Sequence, residues 1–353
     1  MSLATDFVPE LIEGSDTGKT LEAMLDARRI KLTNPPAKPA FILKLAGHGL
    51  TTAGNIAVLS AQAKAGKSAS IGGMLAAFFD DDGDADCLGF SAEPADGKAV
   101  LLFDTEQSLF DAWQLVHRSM RRAGRSTLPD NLRAYALLDL SASERLALLH
   151  AELARASSEC GGVHCVLIDG VADLLENVND IPAAIGLVQE LRNLSVRYEC
   201  PIICVLHENP AQPGFSGKTR GHLGSELERK ADANLSIKKG SDNISVIFSN
   251  GKCRHAEIAE HFAPRFKFCE KAMMHVSCEA ASVAKAEANL EEMREEAREI
   301  FDTPEGVLGL TWTDCLNRIE AIRGIKRDGS EKRFRKLTDA GVIKKNGKGL
   351  YTR

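Results

Sequence analysis

Aromatic residues are scarce in this chain of 353 residues, with Phe, Trp and Tyr together making up 5 %. The core must therefore come from aliphatic side chains. The apolar content of 44 % supplies enough of them, and the composition suits an α/β architecture. No apolar run reaches the roughly 18 residues of a membrane-spanning helix. The N-terminal MSLATDFVPELIEG is acidic and lacks the pattern of a signal peptide. Nine cysteines are scattered without CxxC or Cys/His metal spacing. That excludes a disulfide scaffold and a zinc module, and it predicts reduced thiols in a cytoplasmic protein. Positive charge is also in short supply, the net being −5, except at one end. Residues 323–353 hold 11 basic and 3 acidic side chains, a net of +8, which leaves −13 on the rest. A basic tail on an acidic body points to a nucleic-acid-binding appendage.

The most informative stretch that is present is NIAVLSAQAKAGKS, residues 55–68. An apolar run leads into a loop of small residues that ends in Gly66, Lys67 and Ser68, and a helix-forming run follows. This strand, loop and helix order is that of a phosphate-binding P-loop. Backbone N–H groups of Lys64, Ala65 and Gly66, joined by those of the first helical residues through Ala69, would cradle a triphosphate. Lys67 would reach the β- and γ-phosphates, and Ser68 would bind Mg²⁺. The ligands implied are ATP and magnesium. Ala61 stands where the pattern G-x-x-x-x-G-K-[ST] has its first glycine, and its small side chain makes it a tolerable variant. The similar Gly14–Thr20 stretch has one loop residue too few and reads as a loop entering a helix near Leu21 to Arg28.

Organisation follows from periodicity. Residues 1–40 form a leader containing Pro35, Pro36 and Pro39. Strands are expected at 55–60, 99–103, 133–138, 163–168 and 201–206, with helices at 67–79, 107–123, 142–158 and 181–198 between them. The strands read as continuous apolar runs, as strands buried on both faces do. A mostly parallel, doubly wound sheet is the expected fold of residues 41–280. After Gly221, LSIKK, ISVIFS, FKF and MMHVS read as short strands extending that sheet antiparallel. A linker helix is expected over 281–303. Residues 304–353 then read as helices, the last capped by Ser330 and ended by Gly341, and a hairpin. That order is similar to a winged helix-turn-helix. Lys332, Arg333, Arg335 and Lys336 would lie on its recognition helix, and Lys344, Lys345 and Lys348 on its wing. A helical protein-interaction module remains the alternative for this region.

Further polar residues stand at predicted strand ends. Asp169 closes VHCVLID, where an acid holds the magnesium shell; Asp173 is a weaker candidate for that role. Glu106, at the strand end in AVLLFDTEQS, is the candidate general base, while Asp104 suits a turn cap. His207 follows PIICVL, where it would sense the γ-phosphate. The Gly- and Pro-rich segment 209–221 carries Lys218 and Arg220, which would meet a nucleic-acid backbone. Lys252 and Arg254 follow the strand ISVIFS and would serve as fingers in a neighbouring subunit's site.

Together these motifs resemble the RecA-like P-loop ATPases, in the branch of DnaB-like and plasmid RepA-like hexameric helicases. The resemblance covers roughly residues 40–280. Members of that branch tolerate alanine at the position of Ala61, and they carry the acids that match Glu106 and Asp169. They also carry a Gln or His matching His207, paired acids before a strand as in SELERKADANLSI, and a Lys-x-Arg pair matching Lys252 and Arg254. The resemblance implies a RecA-like domain that hydrolyses ATP in a homohexameric ring and moves on single-stranded DNA in its channel. No primase domain is expected ahead of the ATPase, and the C-terminal winged helix is not part of the branch's pattern. These departures suggest a replication protein of a mobile element, plasmid or phage. An ATP-assembled DNA-binding initiator or regulator without unwinding activity is the alternative. A small-molecule kinase would leave Lys252, Arg254 and the basic tail unused.

Overall fold

A computed structural model describes residues 21–33, 35–209, 219–240, 242–249, 253–255, 257–278, 292–303, 306, 308–339, 341–347 and 349–353. Contacts divide the chain into residues 1–40 and residues 41–353. In the first unit the described structure is helix α1, Leu21–Arg28, which buries none of its side chains.

The second unit opens with β1 (Phe41–Leu45) and β2 (His48–Thr52), an antiparallel pair that β4 (Phe90–Ala92) joins in a small sheet. Between them lie β3 (Ile56–Ala61) and α2 (Lys67–Phe78), and then come β5 (Ala99–Asp104), α3 (Leu109–Arg122), β6 (Leu132–Ala136) and α4 (Ala142–Glu159). The chain continues through β7 (Val163–Asp169), a 3₁₀ turn at Val171–Leu174, α5 (Ile181–Arg197), β8 (Ile202–His207) and α6 (Gly221–Lys230). It completes the sheet with β9 (Ala233–Lys239), β10 (Ser245–Ser249), β11 (Arg265–Cys269) and β12 (Met274–Ser277). The main sheet has the order β12-β11-β10-β9-β3-β8-β7-β5-β6. From β9 to β6 every pairing is parallel. The fold is thus the α/β, mostly parallel P-loop architecture expected of a RecA-like domain.

Alternation along each strand divides the core between the two faces. Ala57 and Leu59 point to one side, where they join Ile71, Met74 and Leu75 of α2 and Leu115 of α3. Ile56 and Val58 point to the other, joining Leu149 and Leu153 of α4, Leu187 and Leu191 of α5 and Leu227 of α6. Strands β3, β5 and β7 are buried at every residue, which explains their unbroken apolar sequence. Three of the helices packed on the sheet start on side-chain caps that satisfy orphan N–H groups. Ser108 caps α3, Asp180 caps α5, and Ser141 with Glu144 forms a full capping box on α4.

Several expectations need correction. Strand β9, which contains LSIKK, pairs parallel to β3, and in the main sheet only the pairings β9–β10, β10–β11 and β11–β12 are antiparallel. Helix α6 provides the crossover a parallel return needs. The hairpin of β1 and β2, with Ala46 and Gly47 both at positive φ in its turn, was not expected; its strands are only five residues each, too short to announce themselves in the sequence.

Near the C-terminus, a helix over 292–301 (α7) is followed by α8 (Trp312–Arg323), α9 (Arg327–Asp339) and a ribbon of β13 (Lys344–Lys345) and β14 (Tyr351–Thr352). Ile300, Leu316, Ile319, Phe334, Leu337 and Ile343 form a third apolar core among them. Ser330 is not the cap of α9, which begins at Arg327. It is buried within the helix, and its hydroxyl donates to Glu320 Oε1 at 3.0 Å.

Candidate active site

The phosphate loop leaves the C-terminal end of β3 in the middle of the sheet. Ala61 lies between His207 of β8 and Ile237 of β9 and is fully buried. Its methyl group fits the core, so alanine replaces glycine here without opening the strand end. Lys64 and Gly66 both adopt positive φ, at 63° and 113°. A Cβ on Gly66 would come within 2.8 Å of the Phe266 ring of β11, so only glycine fits. Ser245 of β10 donates its hydroxyl to the Ala65 carbonyl at 2.8 Å. The antiparallel extension therefore supports the loop from one side. Gly66 gives α2 no side-chain cap, and the helix presents its N-terminal N–H groups as an anion site.

Lys67 is buried, and its ammonium lies 2.7 Å from His207 Nε2 and 3.3 Å from Glu106 Oε2. Glu106 and His207 are themselves 3.1 Å apart. The single Nε2 atom accepts from Lys67 when it carries no proton and donates to Glu106 when it does. These three residues come from the start of α2 and from the ends of β5 and β8, parallel strands whose C-terminal ends share one edge of the sheet. Burial pushes the Glu106 carboxyl up, but the hydrogen bond to His207 and the Lys67 charge outweigh it and hold the acid below its ordinary value.

Asp169 ends β7 and is almost fully buried. Its carboxyl is pushed up to about 7 by burial first, and then by the nearby charges of Asp104 and Glu106. Its Oδ1 has no hydrogen-bond partner among the described residues. An orphaned, buried carboxylate oxygen that feels the Lys67 charge, together with the exposed hydroxyl of the next residue, Ser68, offers hard oxygens that fit Mg²⁺. An opening of about 320 Å³ adjoins Ser68 and Glu106 and is lined farther out by Gln114, Arg118, Phe268 and His275.

The other expected site residues lie elsewhere. The Arg220 side chain is exposed, and its backbone N–H donates to the His207 carbonyl at 3.3 Å. Arg254 pairs with buried Asp232 at 3.5 Å. Asp232 directly precedes β9 and donates its N–H to the carbonyl of Ile56 at the start of β3. Arg254 therefore sits at the edge of the sheet opposite its own phosphate loop, the length of β3 or roughly 17 Å away. Lys218, Lys252 and Lys348 lie outside the described residues. Lys332, Arg335 and Lys336 are exposed along α9, and Lys344 and Lys345 are exposed on the ribbon. Arg333 departs from the surface role expected of it. Its guanidinium binds the buried Glu296 of α7 through Nε at 2.8 Å and Nη2 at 2.7 Å.

Some residues at the site carried no clear sequence signal. Thr105 is buried between the ends of β5 and β7, and its hydroxyl contacts Asp173 Oδ2 at 2.8 Å. Glu208 is buried behind His207 and accepts the Ser60 hydroxyl at 2.7 Å. A charged residue continuing directly from an apolar strand was the available hint for Glu208.

Among solved structures, one described as an ATPase domain is similar to this chain over 64 % of this chain and 85 % of its own, with 14 % identity and a TM-score of 0.44. No curated protein matches the chain by sequence. The family model described as AAA domain matches residues 26–212. That span holds the phosphate loop with Lys67, Glu106, Asp169 and His207, and the chain belongs to this AAA domain family as a P-loop ATPase.

Proposed function

We propose that this chain is a DNA-stimulated ATP hydrolase that works as a homo-oligomeric ring, six subunits being the expected number, and acts as a helicase or translocase of a mobile element, plasmid or phage. The observation that carries the reading is the division of charge between the two sheet edges. Lys67, Glu106, Asp169 and His207 meet at one edge, while Arg254 is at the other. Arg254 could reach a γ-phosphate only in another copy, which supports a site shared between neighbours.

At that site the N-terminus of α2 and Lys67 hold the triphosphate. Ser68 and Asp169 would hold Mg²⁺, which would supply positive charge to offset that of the phosphates. A phosphate that takes hydrogen bonds from Lys67 draws the ammonium away from Glu106. The freed carboxylate then accepts a proton from a water whose oxygen bonds to the γ-phosphorus. The bond between that phosphorus and the bridging oxygen breaks, and its electrons leave with ADP. His207 follows the exchange because it contacts both Lys67 and Glu106, and its carbonyl is tied to Arg220 at the root of segment 209–221. That tie supports a role for Lys218 and Arg220 in gripping a DNA backbone. The exposed cations of α9 and of the C-terminal ribbon support duplex binding by a winged helix. Lys348 is part of the same proposal.

ATP hydrolysis with and without single-stranded DNA, together with unwinding of a forked duplex, tests this reading. The expected result is DNA-stimulated turnover with strand separation. ATP-dependent assemblies that bind duplex DNA and never separate a fork would favour the initiator or regulator instead.

A further inference from the structure

Two side chains that the hydrolysis scheme leaves unused fix the turn carrying Glu106. Asp104 ends β5 fully buried, in register with Asp169 on β7. Its Oδ1 accepts the N–H groups of Glu106 at 3.0 Å and Gln107 at 2.8 Å, and its Oδ2 accepts Gln107 Nε2 at 2.6 Å. This closes an Asx turn that sets the direction of the backbone at Glu106.

Thr105 ties that turn to the neighbouring strand. It is 1 % exposed, and its N–H donates to the Asp169 carbonyl at 3.0 Å. Its hydroxyl lies 2.9 Å from the Asp169 carbonyl, 3.1 Å from the Gly170 carbonyl and 2.8 Å from Asp173 Oδ2. One hydroxyl proton serves these acceptors, and the charged Asp173 is the strongest of them. The fit is close, since a Cβ on Gly170, at φ +90°, would come within 2.1 Å of Thr105 Oγ1.

We propose that Thr105, anchored by Asp173, is a positioning residue for ATP hydrolysis, setting the spacing between the Asp169 strand end and the Glu106 carboxylate. The inference rests on Glu106 being the base. A displacement of about 1 Å at such a group lowers turnover by roughly a hundredfold, so a hydroxyl that fixes the turn has leverage on the rate without touching the nucleotide.

The test uses the full chain, with ATP turnover, affinity for a fluorescent ATP analogue and thermal melting measured on the same preparations. Thr105→Val keeps the side chain's shape and removes the donor. It should lower kcat about tenfold or more while analogue affinity stays within about twofold. Thr105→Ser restores the hydroxyl and should return kcat to within about threefold of the parent. Asp173→Ala removes the anchor alone and should lower kcat several-fold, again with affinity unchanged. An unchanged kcat in Thr105→Val overturns the proposal. So does a Thr105→Ser variant as impaired as Thr105→Val, or a parallel loss of affinity and turnover. If Thr105→Val does not fold, Asp173→Ala decides, and a parental kcat there overturns the proposal. Glu106→Gln run alongside separates the two ideas. If it turns over ATP at close to the parental rate, the base assignment fails. If it is inactive while Thr105→Val is fully active, only the positioning role fails.

Discussion

Lys67 joins two functions in one side chain, because the ammonium that would hold a phosphate also lies against Glu106 and His207. Its removal and that of the base should therefore differ in kind. Lys67→Ala is expected to abolish measurable binding of an ATP analogue as well as turnover. Glu106→Gln should keep binding and lose about 10²- to 10⁴-fold in turnover, the usual range for a lost general base. Titration calorimetry beside a phosphate-release assay distinguishes the two. Asp169 carries a second residue-level consequence. Its native carboxyl holds a proton up to about pH 7, against an ordinary value of 3.8. Between those values the native state binds more protons than the unfolded state, so this group's contribution to stability falls as pH rises. In buffer free of metal and nucleotide, Asp169→Asn should be more stable than the parent above pH 7, by an amount on the order of a few kcal/mol. Below about pH 4 the advantage should vanish. Melting curves across that window check the sign, and equal stability at all pH values would contradict the buried, unpaired state of the carboxylate.

At the level of elements, one buried acid organises the C-terminal helices. Glu296 of α7 is 3 % exposed and accepts from Arg323 of α8 at 2.8 Å and from Arg333 of α9. Removing the buried acid leaves two partly exposed guanidinium groups without their shared partner, at a loss below the roughly 3–5 kcal/mol of a fully buried pair. Glu296→Ala should therefore loosen this helical group, seen as a lowered melting transition and as faster proteolysis within 292–353. The large sheet should keep its own stability, because its two cores share no residue with the third. The same ion pairs explain why Arg333 could not be told from Lys332, Arg335 and Lys336 in the sequence. All four are cations on one helix, and only the buried acid of another helix selects Arg333.

For the whole molecule, the position of Arg254 sets the decisive expectation. A side chain paired with Asp232 at the far edge of the sheet cannot serve its own phosphate loop without rebuilding that edge. Arg254→Ala should lose hydrolysis, and mixing it with Lys67→Ala subunits should restore part of it, since each supplies the half of the site that the other lacks. Full activity in Arg254→Ala alone would remove the ring finger from the proposal. Particle size measured with and without a nonhydrolysable ATP analogue should show growth to a closed oligomer, and a persistent monomer would contradict the ring.

Short-range order accounts for the features of this protein that can be read from its residues in line. Residues 55–68 specify a phosphate loop because small residues, a lysine and a serine must follow one another there, and unbroken apolar runs mark strands buried on both faces. Asp169 and His207 were legible because each closes such a run, and Glu106 because it stands two residues past the end of one. How those strand ends meet is a matter of long-range packing. The order of β3, β8, β7 and β5 brings Lys67, His207, Asp169 and Glu106 to one edge, and no local pattern encodes which strands are neighbours. The parallel direction of β9 likewise depends on the path of α6, and the roles of Thr105 and Arg333 depend on partners 68 and 37 residues away. Hydrogen bonds and ion pairs of that reach exist only once the chain has folded, so they leave no periodicity to read.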